Sequence, residues 1–357
     1  LDDPELSGVG AVVFDEFHER RLSSDLSLAR VLDLQESVRP DLRVVVMSAT
    51  LETGGLKDYL EPCRLVEAGG RMFPVEICHR GEAQVGRRGL NRHEEVWDRV
   101  AAAVKAEARE LIAGDRILVF LPGMYEIQKS QSLLENVAVL KGWEVCPLYS
   151  ALSPTAQRSA LKMDDSKRII LATNVAETSV TIEGVKVVVD SGLVRQSSYD
   201  VARGFDSLGV VKISRAAADQ RAGRAGRTGP GRCVRLWSKS DHRNRKEFET
   251  PEVRRVDLAE AILFLKRLGV NEITGFRWLD QPENERRLDA EKLLTSLGAL
   301  DSGGRLMEVG KKMAALPLHP RLAALVLQGG DCLGEVLFVA AAVQGEGVFK
   351  RAGRGQK

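Results

Sequence analysis

Five short apolar runs recur along this chain without polar–apolar alternation, at residues 11–14, 44–47, 117–121, 169–172 and 185–189. Strands covered on both faces read this way, because no face is left for polar residues. Most of the runs have helix-like stretches beside them. Residues 26–34 predict one helix between the first two runs. Residues 97–112 predict another, with Val100, Val104, Ala108 and Leu111 at helical spacing. The pattern predicts buried parallel sheets with covering helices, an α/β architecture. At 357 residues the chain has room for two or three compact domains.

Composition narrows the function classes. An apolar fraction of 44% argues against disorder along the whole length. A net charge of +2 gives no bulk attraction for a polyanion, so nucleic-acid contact would depend on local basic segments such as 215–235 and 243–255. Five scattered cysteines, with neither metal spacing nor a disulfide framework, fit a reducing compartment. No secretory signal precedes the first run, and no apolar run reaches the ~18 residues a bilayer span needs. The expectation is a monomeric, cytoplasmic protein with no membrane partner. The chain starts without methionine and ends in polar, basic residues from Gly345. Both ends are read as cuts from something longer.

Organisation changes after Trp237. Residues 257–268 predict an amphipathic helix closed by Gly269, and residues 285–297 a second one, followed by a Gly303-Gly304 turn. Small helices with a possible hairpin are consistent with a winged-helix module. Leu316-Pro317-Leu318-His319-Pro320 breaks the chain before a last apolar helical stretch at 322–343. The glycine- and arginine-rich segment 81–93 reads as a linker between two sheet domains.

Two clusters carry chemistry. Asp15-Glu16-Phe17-His18 ends the first run, which puts two carboxylates at the carboxyl edge of a parallel sheet, where such folds bind ligands. Asp15 could hold Mg²⁺ and Glu16 could orient or deprotonate a water; a solvated surface turn is the alternative. His18 could equally tie this loop to its neighbour. Ser48 and Thr50 follow the next run and could bond to the acidic loop, or merely cap a helix. In Gln220-Arg221-Ala222-Gly223-Arg224-Ala225-Gly226-Arg227, arginines three apart fall on one helix face and can converge on one highly charged group. A solvated basic helix or a phosphate-backbone contact is the alternative. Arg221 could instead pair with an acidic residue of the domain core. Thr173, Ser179 and Thr181 follow another strand, with hydroxyls suited to gripping a sugar-phosphate chain or to an ordinary capping turn. No G-x-x-x-x-G-K-[ST] phosphate loop occurs in the sequence.

Taken together, these residues resemble the DEAH-box helicases of superfamily 2, and within them the bacterial HrpB group. Residues 15–18 with Glu19-Arg20 match motif II, with Phe17 in place of the family's alanine. Residues 48–51 match motif III, 118–123 resemble motif IV, 172–181 match motif V, and 220–227 match motif VI without a mismatch. The resemblance implies an incomplete first RecA-like domain over 1–75 and a second RecA-like domain over 76–245. A winged helix over 250–315 and the start of a helical ratchet over 316–357 would follow, and 190–209 would form a strand-guiding β-hairpin.

The same resemblance implies an ATP- and Mg²⁺-dependent 3′–5′ helicase or translocase on single-stranded or partly duplex nucleic acid, RNA favoured. Asp15 and Glu16 would serve the metal, with Glu16 and Gln220 placing the water. Arg224 and Arg227 would act as arginine fingers, and His18, Ser48, Thr50 and Arg221 would surround the nucleotide. Thr173, Ser179 and Thr181 would contact nucleic acid. Lacking a phosphate loop, the chain by itself is expected to turn over ATP negligibly. A non-catalytic adaptor and a DNA translocase are the competing readings.

Overall fold

The computed structural model describes residues 3–49, 55–70, 73–81, 95–177, 180–200 and 203–344. In chain order the first elements are β1 (Ala11–Phe14), α1 (Leu22–Ser37), β2 (Arg43–Val46), α2 (Leu56–Tyr59), β3 (Val75–His79) and α3 (Val96–Glu107). Then come β4 (Arg116–Phe120), α4 (Met124–Glu135), β5 (Trp143–Leu148), α5 (Pro154–Leu161), β6 (Lys167–Ala172) and β7 (Val185–Asp190). The strands β8 (Leu193–Asp200) and β9 (Phe205–Lys212) precede α6 (Arg215–Gly223), β10 (Gly231–Arg235) and α7 (Lys239–Arg243). Helices α8 (Ala259–Arg267), α9 (Asn284–Ser296), α10 (Glu308–Met313), α11 (Pro320–Leu327) and α12 (Leu333–Gln344) complete the chain.

Two compact units are formed. One comprises residues 60–197 and 207–249 and holds a six-stranded sheet in the order β3-β10-β7-β4-β6-β5. Every pairing in it is parallel. All five residues of β4 are buried, which is why that run shows no alternation. Ile117 and Val119 pack with Val100 and Val104 of α3 and Ile127 of α4. Leu118 and Phe120 join the other face with Ala160, Ala176, Ala222 and Ala225. Each fully covered valine or isoleucine here contributes about 1.5–3 kcal/mol relative to exposure. Ser153 caps α5 by accepting the Ala156 N–H (3.3 Å), with Pro154 at the first helical position, and Ser214 caps α6 through the Ala217 N–H (3.1 Å).

The other unit is discontinuous, comprising residues 1–59, 198–206 and 250–357. Its strands β1 and β2 pair in parallel, Phe14 opposite Val46. Leu26 and Ala29 of α1 share one apolar core with Ile262 and Leu265 of α8, Trp278, Leu294 of α9, Met313 of α10 and Ala323 of α11. Helix α8 ends at Gly269 (φ 86°), whose N–H returns to the Lys266 carbonyl while Val270 N–H reaches Leu265. A single antiparallel bridge, Leu300 to Leu306, closes the turn at Gly303-Gly304. The strands β8 and β9 form a separate two-stranded sheet where the hairpin is expected, of which residues 198–206 belong to this unit. Within this unit, Tyr199 N–H donates to the Arg255 carbonyl (2.6 Å) and Asp257 N–H to Asp206 Oδ1 (2.9 Å).

Helix α1 extends beyond the predicted 26–34 at both ends. Helix α3 stops earlier than predicted, before a turn in which Ile112 N–H is held by Asp115 Oδ2 (3.0 Å) and Gly114 adopts φ 83°. The linker expected at 81–93 lies, beyond residue 81, outside the described residues, as does the basic tail from 345. Among the described residues, no single helix is long and apolar enough to cross a membrane.

Candidate functional site

The acidic cluster is built where β1 runs out. Met47 N–H donates to the Phe14 carbonyl (2.7 Å), and Phe17 N–H donates to the Met47 carbonyl (3.0 Å). These bonds carry the parallel pairing past the strand ends and hold the loop beside the segment after β2. Phe17, the residue that departs from the family's alanine, is 1% exposed and meets Phe14 edge-to-face at 6.2 Å. That ring is a plug. With it buried, Asp15 stays exposed and Glu16 half-buried on the polar side. Asp15 Oδ1 accepts the Glu16 N–H (2.8 Å).

Glu16 and Arg20 both lie in the left-handed region, at φ 50° and φ 49°. Residues with a Cβ adopt it at a cost of roughly 1–2 kcal/mol each, so surrounding bonds must hold this turn. His18 supplies one of them. Its Nδ1 accepts the Ala49 N–H (3.2 Å), and its Nε2 faces Glu16 Oε2 at 3.5 Å. An accepting Nδ1 carries no proton in the neutral ring, so the proton sits on Nε2, toward the carboxylate. His18 thereby joins the acidic pair to the Ser-Ala-Thr segment. Ser48 is half-buried within that segment; Thr50 lies outside the described residues.

The arginine cluster is built on α6 and the turn that follows it, in the other unit. Arg221 is 1% exposed: its Nε donates to Glu177 Oε2 (2.8 Å) and its Nη1 to Asp190 Oδ1 (3.0 Å). Its guanidinium also lies over the Phe120 ring at 4.8 Å. Burial pushes the Glu177 carboxyl up even beside this cation, while Glu177 and Asp190 together outweigh desolvation and hold the Arg221 charge firmly in place. Arg224 is also buried and donates to the carbonyls of Val180 (2.8 Å) and Glu177. Arg227 is exposed, with its Nη1 3.4 Å from Thr181 Oγ1. All three arginines therefore fasten onto the 177–181 segment. Gln220 is half-buried. Gly226 permits the close turn, since a Cβ there would sit 2.6 Å from the Phe73 carbonyl oxygen.

Thr173 is half-buried and its N–H donates to the Leu148 carbonyl (3.2 Å) at the end of β6. Ser179 lies outside the described residues. The structure thus assembles Asp15, Glu16, His18 and Ser48 in one unit, and Thr181, Arg221, Arg224 and Arg227 in the other. Neither Glu177 nor Asp190 stands out in the sequence as a site residue. Asp190 directly follows the apolar run 185–189, and a carboxylate at the end of a covered strand was the available signal.

Among the described residues, no group of three or more His, Cys, Asp or Glu is placed to hold a metal. Mg²⁺ does not require one: it takes one or two carboxylates and fills its remaining positions with water and phosphate oxygens. Exposed Asp15 beside Glu16 fits that donor set.

Comparison with known proteins adds an independent line. Residues 102–229 match the family profile described as Helicase conserved C-terminal domain, and residues 290–318 match Helicase associated domain (HA2), winged-helix. The chain is 42% identical over 329 residues to the ATP-dependent RNA helicase HrpB of Escherichia coli (strain K12), covering 91% of this chain and 39% of that protein. It is 35% identical over 364 residues to the pre-mRNA-splicing factor ATP-dependent RNA helicase prp22 of Schizosaccharomyces pombe, covering 98% of this chain and 30% of that protein. A crystal structure of the Escherichia coli DEAH/RHA helicase HrpB superposes with a TM-score of 0.88 at 38% identity, over 98% of this chain and 43% of that one. A second crystal structure, of the E. coli DExH-box NTPase HrpB, gives a TM-score of 0.84 at 38% identity, over 98% of this chain and 42% of that one. The chain thus spans less than half the length of each of these relatives. Its six-stranded parallel sheet is RecA-like, followed by a winged-helix region and further helices consistent with a ratchet-like domain.

Proposed function

Because this chain belongs to the DEAH-box helicases of superfamily 2, closely related to the bacterial HrpB group, we propose that it carries part of an ATP-driven motor that moves 3′–5′ along single-stranded RNA. The observation that carries this reading is the His18 linkage. A histidine that takes a backbone N–H from the segment after β2 and turns its own N–H toward Glu16 keeps one carboxylate oriented at a sheet edge. A surface turn has no use for such a linkage; a water-directing carboxylate does.

Bound Mg²⁺–ATP would supply the scissile anhydride and a cation that neutralises its charge. Asp15 would hold the metal, directly or through water. Glu16 orients the attacking water or accepts its proton, Gln220 helps place that water, and Ser48 and Thr50 would serve the nucleotide. Arg224 and Arg227 offset the charge spreading onto the transferring phosphoryl group, a role worth ~10³–10⁵ in rate where it has been measured. Thr173, Ser179 and Thr181 would hold the sugar-phosphate track, and because such contacts carry no sequence information they would confer little sequence preference. Arg227 beside Thr181 gives the nucleotide side and the track side one shared segment. Both relatives are ATP-dependent RNA helicases, which favours RNA over DNA. Five free thiols accord with a reducing cytoplasm.

The test is phosphate release from Mg²⁺–ATP by the longest gene product that contains this sequence, with matched single-stranded RNA and DNA. Turnover raised by RNA and abolished by Glu16→Gln is expected, with negligible turnover from the 357 residues alone. RNA binding without turnover would instead make the protein an adaptor, and stimulation by DNA alone a DNA translocase. Strand displacement from duplexes with a 3′ or a 5′ overhang reads the polarity.

A further inference from the structure

Arg20 closes the acidic loop, five residues after Asp15. It is 9% exposed. Its fork donates to both oxygens of Asp25 on α1, Nε to Oδ1 at 3.2 Å and Nη2 to Oδ2 at 3.0 Å. The same Nη2 donates to Asp280 Oδ2 at 2.6 Å, from the stretch between α8 and α9. The second oxygen of Asp280 accepts from Arg254 (2.8 Å). The backbone is gripped as well. The Arg20 carbonyl accepts the Glu252 N–H (3.0 Å), and Glu252 Oε2 accepts the Leu22 N–H at the start of α1 (2.9 Å). A loop with two left-handed residues is thus fastened at its far end by residues more than 200 positions away, all within one compact unit.

Charge explains why the fork cannot be replaced by a point cation. Asp25 and Asp280 approach one guanidinium from different sides, and a planar group with several fixed N–H donors satisfies both together. Lysine would offer one compact head on a flexible stem. Burying an arginine so close to the surface-exposed Asp15 has no advantage for packing, whereas it does hold the backbone on which Glu16 sits.

We infer that Arg20 is a positioning residue: by joining Asp25 to Asp280 it fixes the left-handed turn of the acidic loop, so that the C-terminal helical module sets the orientation of Glu16. The orientation half of this inference rests on the reading of Glu16 as the water-directing carboxylate. The clamp itself does not.

Asp280→Asn, nearly isosteric, tests it, with Arg20→Lys as the second variant. In the 357-residue chain, hydrogen exchange of peptides covering 15–21 is expected to speed up ten-fold or more in either variant. Peptides from β4 and β7 should stay at wild-type rates. In the longest gene product, kcat for ATP is expected to fall at least ten-fold while KM stays within two-fold, because Glu16 is misplaced and nucleotide contacts are not. Unchanged exchange at 15–21, or full recovery with lysine, overturns the clamp. Faster exchange with unchanged kcat overturns the orienting role. If the wild-type gene product does not hydrolyse ATP, the orienting role falls with the hydrolytic reading, and exchange alone decides the clamp.

Discussion

Arg221 and Asp190 form an ion pair at 3.0 Å with side chains 1% and 0% exposed, and Glu177 closes it from the other side at 2.8 Å. A guanidinium this deep is held by its partners, and the partners are held by it. Arg221→Met would leave two carboxylates in an apolar core without a cation. The expected loss is about 3–5 kcal/mol of stability in the sheet unit, read by urea unfolding. Arg221→Lys should recover less than half of it, since one ammonium cannot span both acids. A loss under about 1 kcal/mol for the methionine variant would show that the triad is dispensable to the fold.

Arg227 is the contrasting case. It is exposed, and its Nη1 lies 3.4 Å from the Thr181 hydroxyl. Arg227→Ala should therefore change stability by no more than about 0.5 kcal/mol. In the longest gene product the same change should lower ATP turnover by about 10³-fold or more. Wild-type turnover in a folded Arg227→Ala protein would remove the arginine-finger role.

The sheet was partly legible beforehand for a physical reason. Strands β4, β6 and β7 are covered on both faces, so each is dominated by an apolar stretch, at 117–120, 169–172 and 187–189. Strand β10, between β3 and β7, is covered as well, with Cys233 and Val234 fully buried in the two opposite cores, yet its apolar stretch is only those two residues. It carries Arg232 and Arg235, whose charges are met by Glu76 and Glu107 and by Asp219. Those partners come from other elements, and nothing in the local pattern announces them. The site divides in the same way. Asp15, Glu16, His18 and Ser48 could be grouped because they follow strands that pair with each other. The bond from Arg20 to Asp280 joins positions 260 apart, and no spacing rule reaches that far.

Glu16 tests the cost of the turn. With φ 50° it occupies a region that glycine enters freely and alanine does not. Glu16→Gly should be more stable than Glu16→Ala by about 1 kcal/mol in thermal unfolding, although both remove the carboxylate. Equal stabilities would mean that the loop relaxes out of this conformation.

Tyr59 gives the unit containing α1 a signature at high pH. Its hydroxyl donates to the Arg277 carbonyl (2.8 Å), and burial pushes it up to about 12. The folded value lies above the unfolded one of about 10. Its contribution to stability is therefore complete below pH ~10 and is lost as pH rises through about 12. Absorbance titration should show one tyrosinate forming near pH 12, missing in Tyr59→Phe. A titration in which every tyrosine ionises near 10 would mean that this hydroxyl is open to water.

The core that α1 shares with α8 also bears on how the protein is made. Leu26 and Ala29 leave the ribosome long before Ile262, Trp278 and Leu294 exist to cover them. Apart from the span 198–206, the six-stranded sheet unit lies wholly between those two stretches of chain, so it can fold first while the early helix is still waiting for its partners. During that interval the nascent chain presents an uncovered greasy stripe, which is the kind of surface that chaperones hold and that truncated products use to aggregate.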